Sequence, residues 1–332
     1  MPPPPELETP PSAGTGRLEG VVPTAAGGLL AVTVAAWGGS LHWLLDLPSN
    51  FRWHLFVAAA VGLAWSLGRR GTAVRACLAA AVVGNGWALV PYWLPPPAVR
   101  PAAAAAPGTP PRRPLSLVTL NLHGRNRARE RVTAYLRDRQ ADVVALLEVE
   151  DFWAGAIEDI ADLYPYRTIH ARRDFFGLAL LCRTAPEDVQ VVELGGTGLP
   201  TLVGRLRHAG RELRIVATHP RAPIRASYAR DRDRQLRAIA DLVAAAPVPC
   251  IVMGDLNATP FSAGFRDFVA GSGLRDSALG RGVQATWHAK LPLPGVPIDH
   301  VLVPPDAIVI ERRVGPHVGS DHLPVEATIA LP

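Results

Sequence analysis

Between residues 25 and 94 the chain holds three apolar stretches with almost no charge, and this limits what its first third can fold into. Residues 25–45 contain no charged side chain before Asp46, residues 51–68 contain only Arg52, and residues 73–94 contain only Arg75. Each approaches the ~20 residues needed to cross a hydrocarbon core of ~30 Å. In lipid a helix satisfies its own backbone, so the pattern predicts three transmembrane helices over 25–94. Trp43, Trp53, Trp65, Trp87, Tyr92 and Trp93 lie mostly near the stretch ends, where amphipathic rings favour the headgroup zone. Three successive charge-poor stretches disfavour a soluble helical domain. The length of the first and the presence of two more disfavour a cleaved signal peptide.

The flanks read differently. Residues 1–24, rich in Pro, Gly and Glu, are expected to be disordered. Residues 95–114 form a Pro/Ala-rich linker, read as a semi-rigid spacer. Positive charge in short loops orients spans. The second loop carries Arg69, Arg70 and Arg75 and the first only Arg52, which places the second loop in the cytoplasm and the C-terminal domain outside. Arg100, Arg112 and Arg113 weigh against that orientation. The expectation is a multi-pass membrane protein, with the bilayer itself as a partner.

A net charge of +5 raises the question of an anionic partner. Lys290 is the only lysine, however, and Arg, Ala, Pro and Gly abound, a bias that GC-rich coding produces without selection for a nucleic-acid surface. Cys77, Cys182 and Cys250 sit inside apolar runs with no metal spacing, as small buried hydrophobes do.

From residue 115 onward strand-like runs appear at 115–121, 142–148, 178–182, 213–219, 250–255, 299–303 and 325–330. A helix is predicted over 226–245, where Leu236, Ile239 and Val243 follow helical spacing. A second is predicted around 133–138. Some strands follow each other with no helix between, which favours mixed over fully parallel sheets.

Polar side chains recur where these runs end. Asn121 and Glu148 close the first two, His219 closes 213–219, Asp255 and Asn257 terminate CIVMGDLN, Asp299 opens 299–303, and Asp321 and His322 sit in GSDHLP. Strand ends in α/β sheets are where a crevice gathers side chains from distant parts of the chain. Each residue alone could be a cap or turn former.

The set VTLN (118–121), DVVALLEV (142–149), THP (218–220), GDLNATP (254–260), IDHVLV (298–303) and SDHLPV (320–325) resembles the endonuclease/exonuclease/phosphatase superfamily over residues 115–332. The resemblance implies a four-layer α/β sandwich, two mixed β-sheets face to face with helices outside, and Mg²⁺-dependent hydrolysis of a phosphate ester, with Mn²⁺ as an alternative ion. It makes Glu148 a metal ligand, with Asn121 and Asp321 beside it. Asp255 and Asn257 handle the attacking water and the phosphate, His219 donates to a phosphate oxygen, Asp299 orients the last histidine, and His322 closes the set with Asp321. Asn121, His219 and Asn257 are the substrate-binding members.

The chemistry agrees with these roles. Hard carboxylate oxygens suit Mg²⁺, and imidazole works near neutral pH when a carboxylate orients it. Asp255 and His322 both remain candidates for the base. The absence of HExxH or Cys/His spacing disfavours zinc. His300 should point away from Asp299 by strand alternation. His123 stands where relatives resembling apurinic endonucleases carry Asp, so its role stays open. His170, His208, His288 and His317 read as surface or structural. The Arg-rich segment after the first strand reads as a solvated helix face, though it could contact phosphates, and Trp287 either stacks on substrate or packs. The substrate expectation is nucleic acid, with a phospholipid or sphingolipid headgroup as the alternative. A non-catalytic membrane-displayed binding module is the alternative of a different class.

Overall fold

The computed structural model describes residues 15–68, 71–95, 113–290 and 295–331. Most of the expected linker, residues 96–112, therefore lies outside the described residues, as does the expected disorder of residues 1–14. Helix α1 (Thr15–Ala35) starts inside the segment read as disordered, so residues 15–24 continue the first helix. A short connection follows, made of α2 (Trp43–Asp46) and a 3₁₀ turn (Leu47–Phe51). Helices α3 (Arg52–Ser66) and α4 (Thr72–Trp93) complete a bundle in which α1, α3 and α4 pack on one another.

The expectation of three spanning helices is met by length and composition in α4 alone among the described residues. The apolar part of α1, Val22–Ala35, and the 15 residues of α3 reach only about 21–23 Å at ~1.5 Å per residue. The first stretch looked longer because it included residues 36–45, which belong to the connection.

The remainder is the expected sandwich. Strands β1 (Leu115–Asn121), β2 (Val143–Leu147), β3 (Tyr166–His170) and β4 (Leu178–Cys182) belong to the first sheet. Helices α5 (Arg129–Arg139) and α6 (Asp151–Glu158) cover it. Strands β5 (Asp188–Glu193), β6 (Pro200–His208), β7 (Arg211–Thr218), β8 (Cys250–Asp255), β9 (Arg275–Asp276) and β10 (Asp299–Val303) form the second. Helices α7 (Ala226–Ala244) and α8 (Ala263–Ser272) cover that one. Strands β11 (Ile308–Val314) and β12 (Val325–Ala330) return to the first sheet. The orders are β11-β12-β1-β2-β4-β3 and β5-β6-β7-β8-β10-β9. Each sheet contains one parallel pair, β1 with β2 and β7 with β8, among antiparallel neighbours.

Strand alternation builds the layers and then the site. Leu115 and Leu117 of β1 enter the core between the sheets, while Val118 and Leu120 face α5 and α6. In β2, Val143, Ala145 and Leu147 point inward. In β7 the inward residues are Leu213, Ile215 and Ala217, in β8 Ile251 and Met253, and in β10 Val301 and Val303. Continuing the β7, β8 and β10 series by two residues, and that of β1 through Thr119 to the next inward position, places Asn121, His219, Asp255 and Asp299 on the inner faces at one end of the sandwich. The apolar layer stops there and a polar floor begins.

The bundle joins this same end. Leu89 and Tyr92 of α4 pack with Phe261 and Ala278 of the sandwich, and Trp53 and Phe56 of α3 close around them. Tyr92 Oη donates to Asp276 Oδ2 (3.3 Å). The Thr259 N–H donates to Asn50 Oδ1 (3.1 Å), and the Ala263 N–H to Asp46 Oδ1 (2.7 Å). Buried Asp46 also pairs with buried Arg232 at 3.3 Å.

Candidate active site

Asn121 organises the floor. Its amide nitrogen donates to Glu148 Oε1 (3.0 Å) and Asp255 Oδ2 (3.1 Å), and its oxygen accepts the His123 N–H (2.9 Å). Asn121, expected at the metal, thus lies between the Glu148 and Asp255 carboxylates. Glu148 Oε2 accepts the Gly124 N–H at 2.8 Å. Three non-glycine residues here sit at positive φ: His123 at 55°, Glu148 at 57° and Asn257 at 48°. Such backbone is costly for bulky residues and persists where surrounding structure enforces it. In each case the conformation turns a side chain off a strand end toward the others.

Asp255 faces Asp299 across the antiparallel β8–β10 pair. Its Oδ1 accepts the Asn257 N–H at 2.9 Å. Asn257 Nδ2 donates to the Pro220 carbonyl (2.9 Å) and its own carbonyl accepts from Arg232 Nη1 (3.2 Å), so the loop after β8 is held from both sides. Gly254 sits at φ 149°, and a Cβ there would meet the Thr218 carbonyl, so glycine lets β8 approach β7 next to His219. His219 lies with Nδ1 3.6 Å from Asp255 Oδ2 and Nε2 3.8 Å from Glu148 Oε1, its ring against Phe176.

The SDH segment is locked onto β1. Ser320 Oγ donates to the Asn121 carbonyl (2.7 Å) and accepts the His322 N–H (3.0 Å). His322 Nδ1 lies 2.9 Å from Asp299 Oδ2, and its Nε2 lies 3.7 Å from Asp255 Oδ2. Burial works against the His322 charge, but Asp299 and then Asp255 outweigh it and push the imidazole pKa up to about 10. Burial, then the neighbouring Asp299, raises the Asp255 carboxyl above its ordinary range, with His322 and His219 opposing.

Asp321 accepts from Trp287 Nε1 (3.2 Å) and lies 3.2 Å from His123 Nδ1. His288, read from sequence as surface or structural, stands 4.0 Å from Asp321 Oδ2 and so borders the site. His300 packs as expected, its Nε2 on the Ala258 carbonyl and its ring on Phe265. The Arg-rich segment is a paired helix face: Arg129 pairs with Asp159, Arg137 with Asp162, and Arg127 lies over Phe152.

Glu148, His219, Asp255, Asn257, Asp321 and His322 line one cleft of about 680 Å³. Asp321, whose Oδ1 lies 3.2 Å from His123 Nδ1, and Glu148 are both carboxylates of the cleft lining, and hard oxygen donors of this kind fit a divalent cation. Ligand atoms of Asp255, Asp299 and His322 also fall within 4.8 Å of one another. The Asp299–His322 hydrogen bond and the Asn121 and Asn257 donors to Asp255 already use that trio, so it reads better as a proton-handling group. The cleft's far wall was invisible to sequence reasoning: Leu47, Asn50 and Phe51 come from the α2–α3 connection and Phe175 and Ile224 from sandwich loops. No local motif marks them.

A family model described as "Endonuclease/Exonuclease/phosphatase family" matches residues 118–322. No curated protein matches the sequence. Among solved structures, D. rerio TDP2 complexed with single strand DNA product aligns with a TM-score of 0.56 at 19% identity, covering 66% of this chain and 99% of that one. An endonuclease/exonuclease/phosphatase from Beutenbergia cavernae DSM 12333 gives 0.56 at 24% identity, over 66% and 72%. Sphingomyelinase C from Streptomyces griseocarneus gives 0.51 at 19%, over 65% and 99%. At these identities the likeness establishes the fold.

Proposed function

The chain belongs to the endonuclease/exonuclease/phosphatase family of metal-dependent phosphoesterases, and from that premise we propose that it is a membrane-anchored, Mg²⁺-dependent phosphodiesterase acting by direct water attack. The observation that carries this reading is the convergence of Glu148, His219, Asp255, Asn257 and His322 on one cleft, with Asp299 behind His322.

Glu148 and Asp321 would hold the cation, with Asn121 fixing the Glu148 carboxylate. A bound Mg²⁺ supplies charge neutralisation at the phosphoryl oxygen and support for the leaving oxygen. Asp255 takes the proton as water adds to phosphorus, its basicity raised by burial and by Asp299. His322, kept protonated through its Nδ1 contact with Asp299, presents Nε2 to a phosphate oxygen. His219 and Asn257 Nδ2 flank the same space and stabilise oxygens whose charge grows in the transition state. The ester P–O bond breaks and the leaving oxygen departs as an alcohol once protonated.

Several features support the anchor. Buried Arg52, Asn85 and Thr33 bond one another inside the bundle: Asn85 Nδ2 to Thr33 Oγ1 at 2.9 Å, Arg52 Nη1 to Asn85 Oδ1 at 3.2 Å. Val34, Leu41, Val61, Leu67, Val83 and Trp87 face outward. Polar groups inside and large apolar ones outside are the arrangement that suits lipid. The α1–α3 connection and the C-terminal end of α4 both touch the sandwich, as three antiparallel spans require. Arg52 is inside the bundle, so the first connection keeps no cation and the positive bias rests on the second, whose Arg69 and Arg70 lie outside the described residues. That bias favours an extracytoplasmic catalytic domain.

Hydrolysis of a chiral phosphorothioate diester in isotopically labelled water tests the mechanism. Inversion at phosphorus is expected; retention would indicate a phosphoenzyme and overturn direct attack.

A further inference from the structure

The anchor contributes a wall of the active site, and that wall has the wrong chemistry for a nucleic acid. The cleft is lined at its floor by Glu148, Asp255 and His322 and at its side by Leu47, Asn50 and Phe51, all from the connection between α1 and α3. Those three residues fall outside the segment that matches the family, so this wall is a feature of this chain. Phe175, Ile224 and Trp287 line the same cleft. Phe51 is 48% exposed, Ile224 76% and Trp287 36%, so the apolar lining is open to a ligand from solvent.

Charge points the same way. No Arg or Lys is among the described residues lining the cleft. Grooves that track a nucleic-acid backbone carry cationic side chains along the strand, because phosphate neutralisation supplies most of the affinity. Here most of the polar lining belongs to the floor, with Asn50 and Asp174 as the polar exceptions among the apolar residues Leu47, Phe51, Phe175 and Ile224. An apolar cleft with a few convergent polar groups is the form taken by sites for small amphiphilic ligands.

We propose that Leu47 and Phe51 of the anchor, with Phe175 and Ile224, form an acyl-side subsite, and that the substrate is a phosphate ester of a membrane lipid taken from the leaflet the anchor occupies. This rests on the phosphoesterase reading of the same site. Water adds to the lipid's phosphorus, one ester P–O bond breaks, and the apolar portion lies along the wall while the phosphate meets the floor. Phe51 follows directly from the anchor fold, so the cleft mouth is held at the height of the bilayer surface and the lipid need not leave the membrane entirely.

The test uses the full chain in lipid nanodiscs or detergent with Mg²⁺. Three probes are compared: bis(p-nitrophenyl) phosphate, vesicles of phosphatidylglycerol, cardiolipin and phosphatidylethanolamine, and a single-stranded oligonucleotide. The wild type is expected to turn over vesicle lipid with kcat/KM at least about tenfold above the oligonucleotide. Phe51→Ser and Ile224→Ser should each lower the ratio of lipid to small-diester turnover about tenfold, the effect of losing one buried apolar side chain. Because the ratio is internal to each variant, partial misfolding does not mimic the result. An oligonucleotide hydrolysed faster than lipid, or ratios unchanged in both variants, overturns the lipid subsite while leaving the phosphoesterase standing. A wild type inert toward all three probes overturns the phosphoesterase reading and the subsite with it.

Discussion

Asp299 Oδ2 lies 2.9 Å from His322 Nδ1, and both groups are buried, so the imidazole is oriented and kept positive by a carboxylate that solvent does not reach. Removing that charge while keeping the shape isolates its effect. Asp299→Asn is expected to lower kcat by about 10²–10⁴-fold, the range of a lost general acid or base. The pH profile gives the sign. His322 is held at about 10, above its usual 6.5, so its charged form persists through neutral pH and is lost as pH rises toward 10. In Asp299→Asn the alkaline limb of kcat/KM should move down by more than one pH unit. An unmoved limb would assign it to another group.

Glu148 and Asp321 are the carboxylates of the cleft proposed to hold the cation. Mg²⁺ at about 100 times its Kd should stabilise the wild type by ~2.7 kcal/mol, by mass action on the folded state alone. Glu148→Gln should lose most of that increment in a thermal scan, with a smaller loss for Asp321→Asn. Equal metal stabilisation of wild type and both variants would place the cation elsewhere.

Asp46 ties the anchor to the catalytic loop. It pairs with Arg232, whose other nitrogen holds the Asn257 carbonyl, and it accepts the Ala263 N–H. Asp46→Ala leaves a buried guanidinium with only Asp233 as an acidic partner and should destabilise the protein by about 3 kcal/mol. Activity should fall about tenfold as Asn257 loosens. Asp46→Asn, which keeps an acceptor for Ala263, should lose less of both. Full activity in Asp46→Ala would show that the anchor does not position the loop.

The proposed orientation can be read in cells. With the positive connection between α3 and α4 in the cytoplasm, as proposed, alkaline phosphatase fused after Pro332 should be active and a fluorescent protein at the same junction dark. The opposite pair of results would invert the topology.

What the sequence disclosed follows from where each element sits. Strands β1, β4, β8, β10 and β12 coincide with their apolar runs, because each is covered on both faces and reads as a continuous hydrophobic segment. Strands β3, β5, β6, β9 and β11 were not read; of these β5 and β11 lie at sheet edges with charged residues facing solvent. The polar floor was legible because alternation and the motif GDLN…SDH fix it locally. The anchor wall was not. Leu47, Asn50 and Phe51 reach the cleft only through the docking of Asp46 on Arg232 and Tyr92 on Asp276, contacts about 180 residues apart in the chain that no periodicity encodes. Residues 36–45 were counted as span for the same reason.

Hydrolysis of a simple phosphodiester, followed with Mg²⁺ and again after chelation in wild type, Glu148→Gln and His322→Ala, tests the convergence of these side chains most directly. Turnover that requires the metal in the wild type and falls by at least about 10²-fold in each variant is the predicted result. Metal-dependent turnover undiminished in both variants would contradict it.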